Sequence, residues 1–313
     1  MLKVFLTSLS LVAPLLLLVA AGIVLKKLNY LSDITVSEVS KVILKLLLPI
    51  QIFMNIYNGD ISSDLDGKFL FVLIGSYVVA IIINTIILCV LKVDNKRKSA
   101  ILQNATRSNS SIFAIPLSAM IAGNSVASLT ALAVGFTSPL TNGYSIAEFE
   151  YYKPGKAPRF KIFINIMTSP IIVATVLAFI FKAFSFTLPA VIDKTFTYMA
   201  NIVTGMSLIM VGASFKFEVD AKDIKHLVYT ILFKTIVCPL IAILMAIALK
   251  LNAAQMVVIM CISAAPIATS SFPTAKGYDT DIDLVSSTLV YSYVACSFTL
   301  TIIISVLRIL NMI

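Results

Sequence analysis

The feature that most constrains this chain is the near absence of charge inside ten long apolar runs. They lie at about 8–26, 37–57, 69–91, 99–122, 126–147, 162–183, 189–214, 226–249, 251–273 and 284–309. Each is close to the ~20 residues that cross a hydrocarbon core of ~30 Å as a helix. Only 12% of the 313 residues are charged and 59% are apolar, with a mean hydropathy of +1.00. A soluble domain carries about twice that charge, so water cannot be the solvent for most of this surface. The expected fold class is an all-α polytopic membrane protein with ten transmembrane helices. The first run continues into Lys26-Lys27 without a small-x-small cleavage site, so it is read as a retained span rather than a signal peptide.

Charge placement orders these spans. Alternate connections, beginning with that between spans 1 and 2, hold fourteen lysines and arginines, and the opposite face, termini included, holds six. The positive-inside rule then makes the richer face cytoplasmic and places both termini outside, in a cell membrane. The net charge of +9 is thus read as orientation, because the basic residues cluster between apolar runs and form no groove with interleaved aromatics. No nucleic-acid partner is expected.

The longest polar connection, 148–161, divides the spans five and five. With an odd number of spans per half, the halves must be inserted with opposite topology, which predicts a 5+5 inverted repeat. Residues 1–150 form the first repeat, 151–161 the cytoplasmic connection and 162–313 the second. Weak internal similarity supports duplication: Pro14 to Lys26 and Pro170 to Lys182 are both spaced by 12, and Ala114-Ile115-Pro116 matches Ala264-Ala265-Pro266.

Catalytic and metal chemistry find little material. Cys89, Cys238, Cys261 and Cys296 stand singly in apolar runs, without the pairing a zinc site or dithiol needs. His226 is the only histidine and has no acid-base partner at a useful spacing. An intramembrane enzyme would need a carboxylate cluster for a metal, or a nucleophile with its base. No catalytic residue, metal or cofactor is therefore expected, and a non-transporting receptor or scaffold is the other class that remains open.

Spans 4 and 9 are the least hydrophobic, and each places a proline among small and hydroxylated residues. Span 4 carries Arg107, Asn109, Ser110 and Ser111 before Pro116; span 9 carries Thr269, Ser270 and Ser271 after Pro266. Proline frees backbone carbonyls that lipid cannot satisfy, so such segments must face protein or a water-filled cavity. Two such helices, one from each half, predict broken helices meeting at a site where half-helix N-termini favour an anion. All fifteen acidic residues fall outside the spans or at their ends, whereas Lys41, Lys45, Arg107 and Lys234 fall within or near them. An interior with cations and no carboxylates suits a small organic anion, and it lacks the usual acidic proton relay and sodium ligand. Lys41 and Lys45 can snorkel, Arg107 can snorkel or serve a cavity, and Lys234 needs a polar partner or a functional role. Asp279, Asp281 and Asp283 read as a solvated turn.

At these residues the sequence resembles the auxin efflux carrier family, which includes plant PIN-type carriers and bacterial malate or malonate permease-like proteins. The resemblance is carried by Asn109 to Leu117, by Pro266 with Ala275-Lys276-Gly277-Tyr278, and by Leu47-Leu48-Pro49 with Ile52-Phe53. It implies a five-plus-five inverted fold, two proline-marked helices crossing at the substrate site, and elevator-like alternating access by a mobile part against a scaffold. Carried across, its carboxylate-binding region gives Asn109, Pro116 and Pro266. Arg107, Ser110, Ser111, Thr269 and Ser270 join them on chemistry alone, with Lys234 as a possible charge partner. The central connection is too short to be the large hydrophilic loop of many plant carriers, so auxin itself is not expected. The partners expected are the bilayer, a small organic anion such as malate or malonate, and a second copy of the chain as a homodimer.

Overall fold

The computed structural model describes residues 2–58, 66–153, 160, 164, 167–215 and 221–313, and for 2–12, 111, 124, 221 and 222 only the backbone. Most of the 151–161 connection therefore lies outside the described residues, as do Lys156, Arg159, Lys161 and Lys216.

Every named element among the described residues is helical. They are α1 (Leu2–Lys27), α2 (Asp33–Val42), α3 (Leu48–Tyr57), α4 (Gly67–Val90), α5 (Asn95–Thr106), α6 (Ile115–Ala122) and α7 (Asn124–Tyr152). The second half has α8 (Pro170–Ala183), α9 (Ala190–Ser214), α10 (Ala221–Leu232), α11 (Cys238–Ala248), α12 (Ala253–Ala264), α13 (Ser271–Lys276) and α14 (Ile282–Ile309). Five uninterrupted segments, Asp33–Tyr57, Gly67–Val90, Ala190–Ser214, Asp223–Ala248 and Ile282–Ile309, are long and apolar enough to cross a bilayer. Val78, Ile82, Ile86 and Val90 form an exposed stripe four residues apart along α4, and Ile302, Val306 and Ile309 one along α14. Apolar faces of this extent are out of place in water and match lipid.

Proline shapes several of these helices in the same way. Wide π turns occupy Ile43–Leu47, Ser110–Ala114 and Phe233–Val237, closed by bonds from Leu48 to the Ile43 carbonyl, Ile115 to Ser110 and Cys238 to Phe233. In each, the next residue is a proline: Pro49, Pro116 or Pro239. The proline ring lacks an N–H and collides with the carbonyl four residues back, and widening the preceding turn relieves that collision without breaking the helix. Pro116 thus widens a helix rather than ending one. The two halves also use proline differently: Pro14 lies inside α1, whereas Pro170 starts α8 behind a Ser169 cap.

The ends of the bundle are tied by polar contacts. At one end Lys96 pairs with Asp279 at 2.5 Å, and Arg97 reaches Asp223 at 2.7 Å, Asp94 at 3.3 Å and Asp281 at 3.6 Å. The acidic turn expected to be solvated is instead docked against the start of α5, and Tyr278 stacks on Phe149 with ring centroids 4.9 Å apart. Burial raises the Asp281 carboxyl above its ordinary range, against the lowering effect of the Leu284 N–H it caps. At the other end Asp66 caps α4 through the Phe69 N–H at 2.7 Å and accepts from Gln255 Nε2 at 2.9 Å. Those two bonds, the Phe69 N–H first, lower the Asp66 carboxyl.

Between these ends, α1 packs along α9, and α3 packs on α8 and α9. The α1–α9 crossing is backbone against backbone: a Cβ on Gly212 would stand 2.0 Å from the Val19 carbonyl oxygen, and one on Gly22 2.1 Å from that of Ile209. Paired glycines permit such close approach between membrane helices.

Candidate functional site

Two interrupted helices meet at the centre of the site. The first breaks at Arg107, Ser108 and Asn109, between α5 and the π turn that leads into α6. The second breaks between α12 and α13, where Pro266 denies Ala265 the helical region and leaves it extended at φ −57, ψ 148. No proline lies in the first break. Ser108 and Asn109 are short polar residues whose side chains compete with the helical backbone, and Arg107 is extended at φ −87, ψ 119.

The breaks bond to each other as a short antiparallel bridge. Asn109 N–H donates to the Pro266 carbonyl at 2.8 Å, and Ala268 N–H donates to the Arg107 carbonyl at 3.3 Å. Backbone groups freed by the breaks are thus satisfied within the protein, as a lipid-embedded site requires. The residue facing Ile267 is Ser108, so the pairing of Pro266 with Pro116 suggested by sequence does not describe the crossing. Pro116 stands eight residues beyond Ser108.

A cavity of about 230 Å3 opens at this crossing. Arg107, Asn109, Ser110, Thr269 and Ser270 line it from the breaks, and Lys234 lines it from the π turn between α10 and α11. Pro116 and Pro266 do not line it, and the Ser111 side chain lies outside the described residues. Sequence reading missed Gln51 and Asn55 on α3, Tyr77 on α4, and Thr137, Thr141 and Asn142 on α7, all of which line the cavity. For α7 a signal was present, since Thr137 and Thr141 fall four apart around Pro139 in an otherwise apolar run.

Both cations are buried, and neither is ion-paired among the described residues. Lys234 is fully buried, and its Nζ donates to Ser108 Oγ at 2.6 Å and the Ser263 carbonyl at 2.7 Å, so it clamps both breaks. Arg107 is 4% exposed; it donates to Asn142 Oδ1 and, at 3.5 Å, to Thr274 Oγ1. Among the described residues no carboxylate lies within 4.0 Å of either. With five guanidinium donors, Arg107 retains capacity for a further acceptor. Asn109 Nδ2 donates one of its two hydrogens to Tyr293 Oη at 2.6 Å. Lys41 and Lys45 are exposed, away from this cluster.

One carboxyl departs from the expectation of an acid-free interior. Glu148, on α7, is 4% exposed.

A crossing of interrupted helices, a cavity lined by buried cations and a lipid-matched exterior define a multi-pass membrane protein with an internal polar site. Residues 157–304 match the model of the family described as Membrane transport protein, the auxin efflux carrier family. Over this stretch, just under half of its length, the chain is similar to that family of membrane transporters. No curated protein matches the chain.

Proposed function

We propose that this chain is a secondary transporter of a small organic anion, a carboxylate such as malate or malonate, bound at the crossing of the two interrupted helices. The observation that carries this reading is the cavity wall itself: Arg107 and Lys234 contribute two buried cations and, among the described residues, no acidic residue lines it. Buried charge without a counter-charge is costly, and an entering anion relieves it. The helix beginning at Ser110 starts at the same wall, where unsatisfied N–H groups favour negative charge. A volume of about 230 Å3 accommodates a molecule of a few carbons.

The same reading takes the helices as ten spans in a 5+5 inverted repeat. The unit containing α1, α3, α8 and α9 acts as scaffold and the crossing unit moves in an elevator-like way. Sidedness follows from the ion-paired end, which unites three of the lysine- and arginine-rich connections. That end is cytoplasmic in this reading, and both termini are extracytoplasmic, in the cell membrane. Lys92 follows the C-terminal end of α4, and Lys250 precedes the cap of α12, whose Gln255 bonds Asp66 at the N-terminal end of α4; α4 itself is about 36 Å long.

Purified protein in liposomes loaded with malonate should exchange it for labelled external malonate, and Arg107→Gln should slow that exchange at low external malonate while remaining folded. No exchange of malate, malonate or another small carboxylate by well-folded protein would refute the transport reading. In a cysteine-free background, cysteine at Lys250 should react with an impermeant external reagent and cysteine at Lys92 should not; the reverse pattern inverts the orientation.

A further inference from the structure

Arg107 brings a permanent cation to the cavity wall, and what holds that cation decides whether an anion can use it. A guanidinium stays protonated at any pH the protein meets and only donates hydrogen bonds, so each N–H that is tied down must face an oxygen. Two oxygens do this. Asn142 Oδ1, on α7, accepts from one terminal nitrogen, and Thr274 Oγ1, on α13, accepts from the other at 3.5 Å. The Thr274 hydroxyl hydrogen is already given to the Ser270 carbonyl at 2.7 Å, which leaves its oxygen lone pairs for the guanidinium.

The Arg107 backbone does not place the charge. Its carbonyl is fixed by the Ala268 N–H at the crossing, but a long, flexible stem separates that carbonyl from the guanidinium. The tethers must therefore aim it, and the shorter of the two is Asn142. This residue is 6% exposed, lines the same cavity as Arg107 and sits within a continuous helix of 29 residues. An amide buried in a helix of this kind costs stability unless it is bonded, and Arg107 is the partner that offsets the cost.

Both tethers are neutral, and at Asn142 this is a choice between two side chains of one shape. A carboxylate there would fit the same space and would hold the guanidinium more strongly, because hydrogen bonds between charged groups are the stronger kind. It would also cancel the charge that an entering anion has to meet. The amide fixes the direction of the fork and leaves its charge, and its remaining N–H groups, to a ligand. The second cation of the wall is held in the same manner, since Lys234 donates to the Ser108 hydroxyl and the Ser263 carbonyl.

We propose that Asn142 is the positioning residue of the anion site: its amide oxygen aims the Arg107 guanidinium, and its lack of charge keeps that guanidinium open to a carboxylate. This rests on the transporter reading above. Asn142 acts through Arg107. Selectivity for anions follows from the same pair, because a cationic ligand meets an unneutralised guanidinium and is repelled.

The test compares two substitutions by isothermal titration of the purified full-length protein with malonate. Asn142→Asp keeps the shape and adds a charge; Asn142→Leu keeps the approximate volume and removes the acceptor. Asn142→Asp should raise the malonate dissociation constant by about ten- to hundredfold, as loss of Arg107 does, because the new carboxylate takes the guanidinium for itself. Asn142→Leu should raise it only a few-fold, because the charge persists and only its aim is lost. A merely structural role would reverse that order, with the isosteric acid benign and leucine the more harmful. The reversed order, or unchanged affinity in Asn142→Asp, overturns the proposal.

Failure of wild type to bind malonate would count against the substrate reading alone, so the pairing is also measured without any ligand. In a double-mutant cycle of unfolding temperatures, Asn142→Asp should hold or raise the temperature when Arg107 is present. In the Arg107→Gln background the same substitution should lower it, because the buried carboxylate then has no partner. An equal shift in both backgrounds, or loss of folding with Arg107 present, overturns the positioning role.

Discussion

The α1–α9 contact and the helix crossing solve the problem of close helix approach in opposite ways. At the first, Gly22 and Gly212 let two continuous helices touch through their backbones while side chains stand aside. Beside it, Phe53 packs edge-on against Phe181 and Phe196, with centroids 5.4 and 6.1 Å away. At the crossing, both helices give up their regular bonds and satisfy each other through Asn109, Pro266, Arg107 and Ala268, leaving buried hydroxyls, amides and two cations around a cavity. The glycine contact leaves no room for a ligand between its backbones. The crossing keeps unsatisfied polar capacity at a stability cost, which is what a binding site needs.

The contrast can be broken by substitutions ranked by effect. Gly212→Val should have the largest. Its side chain meets the Val19 backbone, which cannot move as a flexible side chain could, so a loss of about 3 kcal/mol or more is expected, seen as failure to purify as a monodisperse species. Normal folding of that variant would show that the joint is looser than the glycine contact implies. Arg107→Gln comes next and should act on binding rather than folding. Loss of a donor to a charged partner costs about 1.5–3 kcal/mol, or roughly ten- to hundredfold in the malonate dissociation constant. A matching fall in thermal stability without a change in affinity would make Arg107 a packing residue.

Tyr293→Phe should give a smaller loss. It removes only the hydroxyl that accepts from Asn109, so the break is less firmly held, and affinity should fall by up to about tenfold for a bond of ~0.5–1.5 kcal/mol. An unchanged affinity would place Asn109 outside the recognition of the anion. Lys92→Asn should have the least effect. Lys92 is exposed at φ 51, a conformation asparagine tolerates, and both affinity and thermal stability should match wild type in titration and unfolding scans.

Much of this protein was legible in one dimension. Apolar runs separated by charge determine helices and a lipid-facing exterior, because backbone groups in hydrocarbon must bond within their own segment. The two polar, proline-marked runs located the interrupted helices for the same reason, and Arg107, Asn109, Ser110, Thr269, Ser270 and Lys234 all reach the cavity wall. What sequence could not decide was which atoms meet. The first break falls at Arg107 to Asn109 rather than at Pro116, because a proline can be absorbed by a π turn when the helix behind it is free to widen. The Asn109 amide meets Tyr293, and the acidic turn meets Lys96 and Arg97, through contacts between residues more than 180 positions apart. Glu148 sits at the edge of an apolar run, where local pattern reads as solvated. Only the packing of α4 and α5 against α7 removes it from water, and burial by distant segments leaves no mark on a residue's own neighbourhood in the chain.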